Sequence, residues 1–236
     1  MEGFTYHNIF ETKGIEYIII LGFFAILIPF WIILNRRVEL RKTLRKLLSP
    51  SLLKIPQGVY FSRNHTWCYL ERSGNARIGL DDLLVHITGK VHLVNIPEIG
   101  THINKGDLLA VVEHEGKKLT ILSPLSGEII TRNPRLKKEP QLLYEDPIRD
   151  GWICKIRPIN WISETQHYYL AEKATEWTHA ELVRIKDFIV SSANRGTGME
   201  SQVILQDGGE IRENSLSEMP EEVWHSFQSR FLNNLS

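Results

Sequence analysis

Cysteine is scarce: the 236-residue chain has only Cys68 and Cys154, with no CxxC or CxxCH pattern. Ligand count therefore excludes iron–sulfur clusters, c-type haem attachment and cysteine-built structural zinc. A single disulfide stays formally open, but two lone thiols suit a reducing compartment equally, and buried structural cysteines are the expectation at both positions. Net charge is missing as well, with 28 basic against 28 acidic side chains, so the chain as a whole lacks the electrostatic footprint of nucleic-acid binding. No HxH, HxxxH or HExxH spacing joins any of the nine histidines, and no metal site is expected. His65, His86, His92, His102 and His114 read as scattered surface and boundary residues. Gly196-Thr197-Gly198 lacks the third glycine and the preceding strand of a dinucleotide loop, and no GxSxG elbow occurs. Asp81-Asp82 and Glu145-Asp146 read as caps and turns rather than as acid–base pairs. No catalytic residue is assigned.

The balanced charge hides a strong local asymmetry. Residues 36–46 carry six basic and one acidic side chain, whereas residues 191–236 carry three basic and seven acidic ones. Just before the basic cluster, residues 17–34 form an apolar run without a charge. As a helix it is about 27 Å long, enough to span a hydrocarbon core. A signal peptide fits poorly, because Glu2, Glu11 and Glu16 oppose only Lys13 upstream and no small-x-small cleavage site follows. The run is read as one transmembrane helix, with residues 1–16 extracytoplasmic and the rest of the chain cytoplasmic by the positive-inside rule. Leu40, Leu44, Leu47 and Leu48 then fall on one helical stripe among arginines and lysines, which makes 35–56 a basic amphipathic juxtamembrane segment.

Beyond Pro56-Gln57-Gly58 the texture changes to short apolar runs separated by glycine-containing turns. Strands are expected at 59–61, 66–71, 76–79, 89–94, 108–113, 118–122, 127–130 and 152–157, with a short helix at 81–85, which is the pattern of a small all-β sandwich or barrel. From Ser163 the pattern turns helical. Ser163-Glu-Thr-Gln166 and Thr178-His-Ala-Glu181 match the capping box and predict two helix starts. After a linker over 191–201 come a strand at 202–206, a turn at 207–209 and a helix over 220–232. Val223, Phe227 and Phe231 share a face of that helix, so the acidic extension 191–236 is expected to dock on its own domain or on a partner.

The segment from Val59 to about Ala174 resembles the H protein of the glycine cleavage system. The match is carried by Tyr60, His65-Thr66-Trp67, Ile78-Gly79-Leu80-Asp81-Asp82, Ile96-Pro97-Glu98-Ile99-Gly100, Val111-Val112-Glu113, Ser123-Pro124-Leu125-Ser126-Gly127, Glu145-Asp146-Pro147 and Gly151-Trp152. The resemblance implies a mainly β, lipoyl-like barrel-sandwich hybrid over 57–190 with C-terminal helices, preceded by the transmembrane helix. It also implies a lysine at a hairpin tip, lipoylated and shuttling an aminomethyl group between enzymes. Nine residues separate Glu113 from Ser123-Pro124, as in the family, and the lysine position is then Gly116. Lys117, one residue on, is a solvated surface lysine in this reading, and a lipoyl cofactor belongs only to the alternative in which Lys117 takes it. The chain is therefore read as a non-enzymatic H-protein-like subunit or adaptor. Its expected partners are a lipid membrane and the other subunits of a membrane complex, of which a redox complex is one kind, and not nucleic acid. Its expected location is the plasma (inner) membrane. The alternative is a membrane-tethered lipoyl carrier of glycine-cleavage type using Lys117.

Overall fold

The computed structural model describes residues 17–31, 48–193, 205–206 and 210–233. Residues 1–45 and 46–236 make two separate units. In the first, residues 17–31 form a helix (α1) whose side chains are exposed throughout. Residues 32–34 of the apolar run and 35–47 of the basic segment lie outside the described residues. Among the described residues no helix is long and apolar enough to cross a membrane. Leu48, expected on the membrane-facing stripe, is instead buried in the core of the second unit, its amide donating to Ile211 O.

That unit is built on two antiparallel sheets. The larger has six strands in the order β1 (Tyr60–Phe61), β2 (Thr66–Leu70), β3 (Ala76–Leu80), β9 (Cys154–Pro158), β8 (Gly127–Arg132) and β5 (His102–Ile103). The smaller joins β4 (His92–Val94), β6 (Leu108–His114) and β7 (Lys117–Leu122). Side chains alternate across a pleated strand. In β7, Leu119 and Ile121 accordingly point inward while Lys118 is exposed and Thr120 half-buried. Ile78, Ile129 and Ile156 from one sheet share a core with Leu109, Val112 and Leu119 from the other. Cys68 and Cys154 are buried and unbridged. Burial drives both thiols upward, Cys154 to about 12.

The ladders close no barrel among the described residues, which corrects the barrel half of the expected hybrid. Two of the outer edges carry other partners. Phe61 of β1 exchanges two backbone hydrogen bonds with Tyr169, and Thr120 of β7 is paired by a side-chain amide, Gln228. Each contact takes up one residue that a further strand would need.

Helix α2 (Asp82–Thr88) is longer than expected, and Asp81 caps it by accepting from Leu84 N at 2.7 Å. The strand expected from Gly89 starts only at His92, because Gly89 closes that helix. Strand β5 has only two residues, too few to show an alternation. A short helix, α3 (Leu142–Glu145), precedes β9. Neither capping box starts a helix. Ser163 lies inside α4 (Trp161–Thr165) and donates to Asn160 O at 3.1 Å, whereas Thr178 lies inside α5 (Glu172–Ala193) and donates to Ala174 O at 2.8 Å. Each hydroxyl bonds back to the preceding turn rather than to an orphan amide. Burial of Ala174, Leu182, Ile185 and Ile189 on one face carries α5 straight through Thr178.

A short ladder of β10 (Leu205–Gln206) with β11 (Glu210–Ile211) leads to α6 (Glu221–Phe227), which runs on as a π-turn, Gln228–Leu232. The turn at 207–209 lies outside the described residues. Trp224, Phe227, Phe231 and Leu232 are buried in the same core as the sheets, so the extension docks on its own domain.

Candidate functional site: a capped hairpin

Strands β6 and β7 pair from Leu108↔Leu122 to His114↔Lys117, leaving Glu115-Gly116 as a two-residue loop. Both loop residues have positive φ, +48° and +85°, as a type I′ turn requires. That turn matches the right-handed twist of the strands, and glycine adopts its second position without a Cβ penalty. A Cβ built on Gly116 would meet nothing within 4 Å, so this position of the tip is open to solvent and has no side chain to offer.

Lys117 is not the solvated lysine of the sequence reading. It is half-buried, and its Nζ donates to Ser217 O at 2.5 Å and Met219 O at 3.0 Å. The ammonium also lies 5.5 Å from the Trp224 ring centroid. Across the strand pair, His114 stacks on the same indole with rings 4° from parallel, and its Nδ1 bonds Lys90 O at 2.7 Å. Trp224 is held in turn by its own Nε1–H, which donates to Leu216 O at 2.8 Å. One turn further, Gln228 pairs with β7 as a strand would: its Oε1 accepts from Thr120 N at 2.7 Å, and its Nε2 donates to Thr120 O at 3.0 Å. Residues 216–228 therefore form a clasp over one side of the hairpin.

A lipoyl group attaches through an amide to a free lysine amine. Gly116 offers no amine, and the Lys117 amine is committed to two carbonyls, so the hairpin as folded does not fit that group. Among the described residues no group of three or more His, Cys, Asp or Glu side chains is placed to hold a metal ion.

Elsewhere in the domain lies a buried ionic cluster. His65, fully buried and in the left-handed region at φ +56°, meets Asp81 Oδ2 through Nδ1 at 2.7 Å and Glu181 Oε1 through Nε2 at 3.7 Å. Burial alone would lower its pKa, but the charge and hydrogen bond of Asp81, with the help of Glu181, outweigh it and raise the imidazole to about 9. Glu181 is held below the usual carboxylate range, because His65 and Arg184 outweigh its own desolvation. His65, in the β1–β2 connection, is thus an imidazolium locked between Asp81 at the start of α2 and Glu181 on α5, which corrects its reading as a boundary residue. A second group joins His86 to Asp82 at 3.5 Å and to Glu213 at 3.3 Å, with Tyr144 Oη donating to Glu213 at 2.8 Å. Burial and Glu213 together push the Tyr144 phenol up to about 12. Sequence reasoning missed Gln228, Glu181 and the carbonyls of Ser217 and Met219. Backbone carbonyls carry no residue signature at all.

A family model described as "Glycine cleavage H-protein" matches residues 59–181. The probable glycine cleavage system H protein of Thermococcus gammatolerans is 34% identical over 119 residues, covering 50% of this chain and 88% of that protein. The glycine cleavage system H protein of an Enterobacter species is 35% identical over 103 residues, 44% of this chain and 80% of that protein. A crystal structure of a glycine cleavage system H protein from Mycobacterium marinum aligns with TM-score 0.41 at 25% identity, covering 44% of this chain and 86% of that one.

Proposed function

The chain belongs to the glycine cleavage H-protein family, and from that premise we propose that it is a non-catalytic, membrane-anchored member whose lipoyl-like domain is a protein-recognition module on the cytoplasmic face of a membrane assembly. One observation carries the reading. The tip position that the family resemblance gives to lysine is Gly116, and the neighbouring Lys117 amine is tied to Ser217 and Met219. A swinging arm needs a free amine at the apex, and a recognition surface does not. The anchor is supported by the uncharged residues 17–34 and by the exposure of Ile18, Phe23, Ile26 and Trp31 on α1. The six basic residues of 36–46 support the cytoplasmic orientation of the domain.

Incubation of the native protein with a lipoate–protein ligase, lipoate and ATP should leave its intact mass unchanged. A lipoyl adduct on Lys117 would return the chain to the carriers. Protease added to right-side-out vesicles should spare residues 59–236, and cleavage there from outside would overturn the orientation.

A further inference from the structure

On a part of the domain that shares no residue with the hairpin or its clasp, the chain entering β1 frames a cavity of about 700 Å³. That volume lies in the range of small-molecule sites. Its apolar lining comes from Ile55, Val59, Trp67 and Ile148. Trp67 is 1% exposed and rests against Gly79 so closely that a Cβ there would lie 2.5 Å from the ring, which makes the indole a rigid wall. The indole N–H is buried and meets no acceptor among the described residues.

The polar lining has an excess of positive charge. Lys54, Arg77 and Arg149 line the cavity against one acid, Asp146. Lys54 Nζ donates to a neutral acceptor, Glu145 O, at 2.9 Å, so its charge is not balanced there. Glu71 is one carboxylate shared by Arg77 at 2.7 Å and Lys155 at 3.0 Å. Arg149 has no ion pair among the described residues, and Asp146 Oδ1 accepts only its backbone amide. A cavity with aromatic and aliphatic walls and unmatched cations attracts a ligand that is apolar at one end and anionic at the other. Guanidinium forks favour a carboxylate or phosphate head. Lys54, Ile55 and Gln57 precede the family match at residue 59, so part of this cavity is supplied by chain outside the shared region.

We propose that this cavity binds an organic anion, with a flat apolar body against Trp67 and Ile148 and a carboxylate or phosphate head among Lys54, Arg77 and Arg149. The inference is independent of the recognition role proposed above. The full chain in non-ionic detergent is titrated calorimetrically with 1-naphthoate, 1-naphthyl phosphate and neutral 1-naphthalenemethanol, with detergent alone as the blank. At least one anion should bind saturably at one site, and the neutral compound should bind at least tenfold more weakly. The double variant Lys54→Ala/Arg149→Ala changes two exposed side chains. It should keep the wild-type melting temperature and lose at least tenfold in affinity for the anion. Absence of saturable binding by both anions, equal binding of the neutral compound, or wild-type affinity in the double variant overturns the proposal.

Discussion

Raising the pH from 6 to 9.5 should remove the proton that His65 holds between Asp81 and Glu181, and the fold should lose stability in proportion. The folded-state pKa of about 9 lies above the ordinary value of 6.5, so the folded chain binds this proton more tightly than the unfolded chain does. The resulting stability is complete below pH 6.5 and is lost as the pH climbs towards 9. At 1.36 kcal/mol per unit, the difference corresponds to about 3 kcal/mol. Guanidinium unfolding at the two pH values measures it. The two buried thiols act in the same direction, because burial keeps them protonated in the folded state while unfolded thiols ionise over the upper part of this range. The reference is therefore His65→Asn, which tolerates the left-handed backbone at φ +56° and does not titrate. The wild type should lose about 3 kcal/mol more than the variant across the interval. Equal losses in the two proteins would show that His65 holds no extra proton, and the account of the cluster would fail.

Three further outcomes test the packing of the site. Gln228→Ala removes both side-chain bonds to Thr120 and should cost about 1–3 kcal/mol, with faster hydrogen exchange at the Thr120 amide; unchanged exchange there would deny the pairing. Phe227→Ala empties a fully buried ring position and should cost about 3–5 kcal/mol. It should also raise the rate at which an acetylating reagent modifies Lys117 relative to exposed Lys118, as read by peptide mass spectrometry, whereas an unaltered ratio would separate the α6 core from the clasp. Gly79→Ala sets a methyl 2.5 Å from the Trp67 ring and should destabilise by about 1–3 kcal/mol, seen as a lower melting temperature; a wild-type melting temperature would mean that the indole moves aside freely.

Local rules were enough wherever neighbours in sequence are also neighbours in space. The alternation of Leu119 and Ile121 with Lys118 and Thr120 shows in the residues of β7 and reappears in its burial. Asp81 has a capping side chain three residues before the amide it accepts from, and Glu115-Gly116 suits a two-residue loop by itself. The mainly β domain and the vacant lysine position were likewise legible, because both depend on motif order and spacing along one stretch of chain. The capping boxes at Ser163 and Thr178 failed for the opposite reason. A box describes only how a helix start can be satisfied, and burial of Ala174 and Leu182 on either side of Thr178 made continuation of the helix the better use of those residues.

The family, the strand pattern and the absence of an amine at position 116 of the hairpin tip all follow from residue order and short-range chemistry. That Lys117 is held rather than free follows instead from long-range packing. Its acceptors are the main-chain carbonyls of Ser217 and Met219, about a hundred positions along the chain, and a carbonyl is the same at every residue. The same holds for His65, which became a buried imidazolium because the docking of α5 brought Glu181 to its second nitrogen in a place from which water is excluded.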